Sequence, residues 1–237
     1  MLYYKDIKIA DHGYILSLPE REDRRKETLS VLDELNISGY TFFDGIRIPD
    51  ENWRVYGCTE SYINIFKDAI DNQYESIVVF EDDIKIMNGV STNTIDEIFS
   101  KWHHFSQEYD VIALGTRPQY NSKIIRQDNN FGKISNLLCT QCFLYKNNFI
   151  EYAYEKLKCY RDPECSHYRC IIDEFINDCC SHEQVLKYKN DLFNIGITIP
   201  MIFTQRESYS DNEGIIHNYD QWMEGCFWAA LEKGDAI

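Results

Sequence analysis

The chain has 237 residues, 44% of them hydrophobic and 14% aromatic, which excludes a disordered or fibrous class because enough apolar surface is available to offset the entropy of ordering. Its 24 basic and 39 acidic residues give a formal net charge of −15, a field that repels phosphate backbones, so no nucleic acid is expected as a partner. No run approaches the ~18 apolar residues of a spanning helix, and Met1–Asp6 lacks a basic region followed by an apolar stretch; a cytoplasmic protein with no integral membrane segment is expected.

The length favours one large α/β domain over 1–237. Gly13–Leu18 is a short apolar run closed by Pro19, and Leu29, Leu32 and Leu35 then recur at helical spacing, which predicts strand, loop and helix. Tyr40–Phe43 is rich in β-formers and stops at the turn signal Asp44-Gly45. Thr59 is a suitable cap for a helix whose apolar stripe is Tyr62, Ile63, Phe66, Ala69 and Ile70, ending near Asn72. Ser76–Phe80 is continuously apolar, as a parallel strand covered on both faces should be, and Glu81-Asp82-Asp83 falls at its C-terminal end, where ligands of open α/β sheets collect. Asp110–Gly115 and Asn136–Tyr145 read as further strands, with a helix around Phe149–Leu157. Between those strands, the polar stretch Arg117–Lys133 reads as a surface loop or hairpin near the ligand edge. The alternation predicts a mainly parallel sheet.

An acidic protein that handles an anionic substrate needs clustered arginines or a divalent cation. Three adjacent carboxylates where a buried strand emerges are costly unless a cation or hydrogen-bond donors compensate them. Mg²⁺ and Mn²⁺ typically take one or two protein carboxylates and complete their shell with water and phosphates, so Glu81, Asp82 and Asp83 suit a metal–diphosphate site. An exposed acidic turn is the plainer alternative. Arg21, Arg24 and Arg25, after Pro19, stand near the same sheet edge, either to receive a diphosphate or as a solvated helix start.

The order of these segments resembles glycosyltransferase family 25, which includes lipooligosaccharide and collagen galactosyltransferases. The matching pieces are Tyr14–Arg25, Phe43-Asp44-Gly45, Gly57–Tyr62, Val78–Asp83, Asp110–Gly115, Ile172–Ile176 and Pro200–Asp211. Two positions depart from the family pattern: Tyr62 stands where a His is common, and Asn212 where an apolar residue is usual. The resemblance implies a GT-A type nucleotide-binding α/β/α sandwich, an inverting mechanism, a UDP-sugar donor, and a glycan or glycoprotein acceptor. It further implies that Leu18, Pro19 and Arg21 line the nucleotide site with Arg24 close by, that Asp44 lies near the uracil or ribose, and that Asp83 with Glu81 or Asp82 holds Mn²⁺ or Mg²⁺. Asp173 or Glu174 would be the general base, Asp173 being slightly favoured; the first turn of a helix is the competing role for both.

Late GT-A residues often add a metal ligand, for which His217 is the candidate; a surface histidine is the alternative. Trp222, Phe227 and Trp228 could stack on a sugar or dock a terminal helix. Cys139 and Cys142 should face opposite sides of a strand, an awkward geometry for a shared metal, and Cys159, Cys165, Cys170, Cys179 and Cys180 with His167 and His182 match no paired-ligand spacing. The odd total of nine cysteines fits free thiols in a reduced compartment. A sugar nucleotidyltransferase is the alternative enzyme, but its glycine-rich loop should follow the first strand, where Pro19-Glu20-Arg21 stands. A silent nucleotide- or glycan-binding module is the non-enzymatic alternative, and the intact acidic triplet argues against it.

Overall fold

The computed structural model describes residues 1–49, 56–158, 171–180, 192–209, 216–217 and 220–235. In chain order the elements are β1 (Leu2–Tyr4), β2 (Ile7–Ala10), β3 (His12–Ser17), α1 (Glu22–Glu34), β4 (Ile37–Ser38), β5 (Tyr40–Asp44), α2 (Tyr56–Asp71), β6 (Ser76–Glu81), β7 (Ile84–Ile86), α3 (Thr92–Ser100) and α4 (Trp102–Glu108). There follow β8 (Val111–Arg126), β9 (Phe131–Lys146), α5 (Asn147–Leu157), α6 (Ile172–Cys180), β10 (Ile195–Thr198), β11 (Phe203–Gln205), β12 (Ser208–Tyr209), β13 (Ile216–His217) and α7 (Asp220–Asp235).

The central sheet has six strands in the order β10-β8-β9-β6-β3-β5. Its neighbours pair in parallel except around β9, which runs against the rest, so the sheet is mostly parallel as the alternation of elements predicts. Successive residues of a strand face opposite ways. Along β6, Ile77 and Val79 accordingly pack under α2, α5, α6 and α7, while Val78 and Phe80 pack on the other face against α1, α3 and α4. Each buried aliphatic or aromatic side chain contributes roughly 1.5–3 kcal/mol by leaving water, so covering both faces makes this α/β/α sandwich the stable arrangement of the strands.

Two local expectations are revised, and a third is met in its hairpin form. Thr59 does not cap α2, which extends back to Tyr56; it is buried one turn inside, and its Oγ1 accepts from the Ile172 N–H at 3.1 Å, joining α2 to the start of α6. The stripe of α2 also includes Ile65, fully buried, because the helix packs on both α5 and the sheet. The polar stretch Arg117–Lys133 forms the far half of the long β8–β9 hairpin, whose turn is held by Asp128 Oδ1 accepting from the N–H groups of Asn130 (2.7 Å) and Phe131 (2.8 Å). Unforeseen from the sequence was the small antiparallel sheet β2-β1-β4. Among the described residues no helix is long and apolar enough to cross a membrane.

Candidate active site

The register brings the C-terminal ends of three parallel strands level: Ser17 of β3 pairs with Asp44 of β5, and Leu16 with Glu81 of β6. A cavity of about 170 Å³ opens there, with Leu18, Arg24, Cys58 and the triplet Glu81-Asp82-Asp83 in its lining. Residues 45–48 form its outer wall, tied down by Gly45 N–H to Ser17 O (2.9 Å) and by Ile46 N–H to Ser61 Oγ (2.8 Å). The first turn of α2 can lie this close only because residue 57 is glycine: a Cβ there would sit 2.3 Å from Ile46 O.

The three adjacent carboxylates have different surroundings. Asp82 is fully engaged, accepting from Ser17 Oγ on Oδ2 (2.6 Å) and from Arg24 Nη1 on Oδ1 (2.8 Å). Its carbonyl takes Thr28 Oγ1 (2.8 Å) and Arg206 Nη2 (2.5 Å). Asp83 accepts from Gln205 Nε2 on Oδ2 (2.9 Å), and Arg24 stands 3.5 Å away, but its Oδ1 is buried with no hydrogen-bond partner. Burial and the charge of Asp82 push its carboxyl up to about 6, against the pull of Arg24. Glu81 accepts from Thr140 Oγ1 at 2.6 Å, and burial followed by the charge of Asp83 pushes it up to about 8.

Of the residues expected at a nucleotide and metal site, Leu18, Arg24, Glu81, Asp82 and Asp83 line one cavity. Pro19, Arg21 and Asp44 lie outside that lining; Arg21 pairs with Asp23 (2.9 Å), and Asp44 with Arg25 (2.5 Å). Arg24 is not a solvated guanidinium awaiting a phosphate, for its charge already balances Asp82 and Asp83 inside the protein. Arg24→Ala should therefore leave buried carboxylates uncompensated and lower stability by roughly 3 kcal/mol. Arg21→Ala, at an exposed pair, should change it by under about 1 kcal/mol. Chemical denaturation of both variants measures the contrast.

Asp173 opens α6, its Oδ2 accepting from the Cys139 N–H (3.2 Å) and its Oδ1 from the Glu174 N–H (2.9 Å). It is not among the residues that line the cavity, but its charge adds to the upward push on the Cys58 thiol and the Glu81 carboxyl. Glu174 is exposed, its carboxyl raised by partial desolvation and then by Asp173. His217 lies on β13, paired through Ser208; its side chain, together with Asp211, Asn212, Cys159, Cys165, Cys170, His167 and His182, lies outside the described residues. Among the described cysteines, Cys58, Cys139, Cys142 and Cys226 are free thiols.

Among the described residues no three His, Cys, Asp or Glu side chains are grouped to hold a metal. A hard cation that keeps water and phosphate oxygens needs only one or two carboxylates, however, and the unpartnered Oδ1 of Asp83 with Glu81 beside it fits that demand. Asp82 does not fit, since both of its oxygens are taken. Without a cation the folded state holds protons on Glu81 and Asp83 more tightly than the unfolded chain does. Stability in EDTA should then fall as pH rises from the ordinary carboxylate range through about 8, and be level above it. Melting curves against pH, with and without Mn²⁺, check this; added Mn²⁺ should restore most of the loss at pH 8.

Sequence reasoning gave no role to Ser17, Thr140, Cys58, Gln205 or Arg206. Gln205 and Arg206 had a signal in the closing motif, whereas Thr140 sits on the antiparallel strand β9 and reaches Glu81 only through the pairing of β9 with β6.

Residues 55–170 match the sequence profile of glycosyltransferase family 25, described as LPS biosynthesis protein. That stretch, just under half of the 237 residues, is similar to glycosyltransferase family 25. The family 25 stretch carries Cys58, Ser61, Glu81, Asp82, Asp83 and Thr140, so the acidic end of β6 and the helix facing it lie within the matched region. The chain is accordingly a transferase. Among solved structures, a glycosyltransferase involved in glycosylation of the major capsid of PBCV-1 superimposes with a TM-score of 0.45 at 10% identity, over 90% of this chain and 98% of that one. A197 from STIV gives 0.38 at 13% identity over 78% and 80%. The nucleoside-diphosphate-sugar pyrophosphorylase from Vibrio cholerae gives 0.36 at 13% over 78% and 70%. Superpositions this loose carry no inference about activity. No curated protein matches the chain.

Proposed function

We propose that this family 25 transferase moves a hexose from a UDP-sugar to an acceptor hydroxyl on a glycan or glycoprotein, with inversion and with a divalent cation, Mn²⁺ or Mg²⁺. The observation that carries the reading is the buried, unpartnered Oδ1 of Asp83 at the end of a central parallel strand. Asp83, with Glu81, would hold the cation, which when bound supplies charge neutralisation for a nucleoside diphosphate. Asp82 acts at one remove: through Ser17 and Arg24 it fixes the loop that carries Leu18 against the donor cleft. Gln205 holds Asp83 by one carboxylate oxygen, and the other has no hydrogen-bond partner.

Inversion needs a base on the face opposite the departing diphosphate. Asp173 is held by two backbone N–H groups at the start of α6, beside β9, and would accept the acceptor's hydroxyl proton as the new bond to the anomeric carbon forms. Screening UDP-, GDP- and TDP-sugars for donor hydrolysis, with Mn²⁺ and with EDTA, tests the donor and the metal, and NMR of the transfer product reads the anomeric configuration. UDP-sugar turnover that needs the metal is expected. Turnover undiminished in EDTA, a retained anomer, or formation of a nucleotide-sugar from a sugar 1-phosphate would overturn the reading.

A further inference from the structure

Among the described residues every other arginine pairs with a carboxylate: Arg21 with Asp23, Arg24 with Asp82, Arg25 with Asp44, Arg47 with Glu20, Arg126 with Asp235 and Arg206 with Glu27. Arg117 has none. Its Nε is buried without a hydrogen bond, and its guanidinium lies 4.2 Å from the centre of the Trp222 ring. In a chain of net charge −15, a half-buried guanidinium kept clear of carboxylates is a place where an anion from outside is accommodated.

Beside it runs a groove of about 210 Å³ between the β8 hairpin and α7, lined by Tyr120, Trp222, Gly225, Ala229 and Lys233. Tyr120 is 93% exposed and Trp222 52%, while Phe227 is turned fully into the core and docks α7. Lys233, a second cation with no carboxylate partner among the described residues, lies 4.6 Å over the Tyr120 ring and donates to Tyr120 O at 2.5 Å. Strand pairing links Arg117 to the candidate active site. Arg117 pairs across the hairpin with Leu138, next to Cys139, whose N–H holds Asp173.

Resting on the glycosyltransferase reading, we propose that Arg117, Trp222 and this groove form the acceptor subsite, and that the acceptor is an acidic glycan. Its sugar rings stack on the indole and phenol faces, and Arg117 with Lys233 takes up a carboxylate or phosphate carried by the glycan. Aromatic faces meet the C–H side of a pyranose, and a guanidinium meets a planar or tetrahedral oxyanion through paired N–H groups, so the two recognitions are chemically independent and act together here.

Calorimetry without donor tests this, using tetragalacturonate, a phosphorylated oligomannose and neutral maltotetraose at low salt. At least one charged glycan should bind tenfold or more tightly than maltotetraose, and whichever does identifies the anion as carboxylate or phosphate. Arg117→Gln should weaken that binding by roughly ten- to a hundredfold, with Arg117→Lys recovering part of it. Gly225→Leu supplies a second variant, at a position where a Cβ meets nothing within 4 Å and leucine is the better helix former; it should fill the groove and weaken binding as well. Equal affinity for charged and neutral glycans, no binding by either charged glycan, or binding untouched by Arg117→Gln and Gly225→Leu would each overturn the proposal. So would inorganic phosphate competing as well as the charged glycan, since the rings would then play no part. UDP affinity in Mn²⁺, measured in parallel, reads the donor cleft separately, so failure of the acceptor subsite and failure of the donor reading give different patterns.

Discussion

Asp83→Asn should abolish Mn²⁺-dependent UDP binding and lower UDP-sugar turnover by at least about 10³, while leaving a folded protein. The loss follows from the number of ligands on offer. A cation that draws only one or two carboxylates from the protein cannot lose the best of them, and Asp82, with Ser17 and Arg24 on its two oxygens, is not free to replace it. Losing one preorganised charge-stabilising group typically costs 10²–10³ in rate, and here the same change also removes the means of holding the donor. Stability should move the other way. Burial and the charge of Asp82 make an ionised Asp83 unfavourable in the metal-free protein, so the amide should melt at the same temperature as wild type or higher in EDTA at pH 8. Calorimetry with UDP and Mn²⁺, beside melting curves in EDTA, measures both halves. Wild-type turnover by the variant would remove Asp83 from the site, and a lower melting temperature in EDTA would show that its carboxylate stabilises the fold unaided.

For Asp173→Asn the expectation is a fall of about 10²–10⁴ in the single-turnover rate of transfer, with UDP-sugar affinity close to wild type. A positioned base acts on the acceptor proton, in the transition state, and contributes little to holding the donor. Asp173 and its neighbour Glu174 differ in placement: the first takes the Cys139 N–H across to β9 and its charge reaches Glu81 and Cys58, whereas the second is exposed. Glu174→Gln should therefore change the rate by less than about tenfold. An asparagine at 173 can still accept from Cys139, so the loss would report the proton rather than a collapsed helix start. Single-turnover kinetics and donor binding on both variants decide it; equal, near wild-type rates would free both residues from the role of base.

The continuous apolarity of Ser76–Phe80 was enough to place a doubly covered parallel strand, and with it the acidic triplet at the ligand end of the sheet. The helical spacing of Tyr62, Phe66 and Ala69, and the arrival of Asp173 at a helix start, were readable in the same way, because periodicity and strand-end chemistry are local properties of the chain. The division of roles within Glu81-Asp82-Asp83 was not local. Three like side chains in a row are indistinguishable as a string, and only the packing of α1 against the strand ends brings Arg24 and Ser17 to Asp82, while β11 brings Gln205 to Asp83 from more than a hundred positions away.

The same holds for the arginines. A run such as Arg21, Arg24 and Arg25 looks like one basic cluster in sequence, yet helical geometry sends Arg24 inward to the buried acids, Arg25 to Asp44 and Arg21 to its neighbour Asp23. The sequence by itself determined the alternation of strands and helices, and the acidic triplet at the C-terminal end of a central strand. Which carboxylate keeps an open oxygen and which arginine keeps an open charge was decided by the tertiary structure. Hydrogen bonds and ion pairs are shared out by distance in space, and Asp83 and Arg117 are left unfilled only by where every other partner comes to lie.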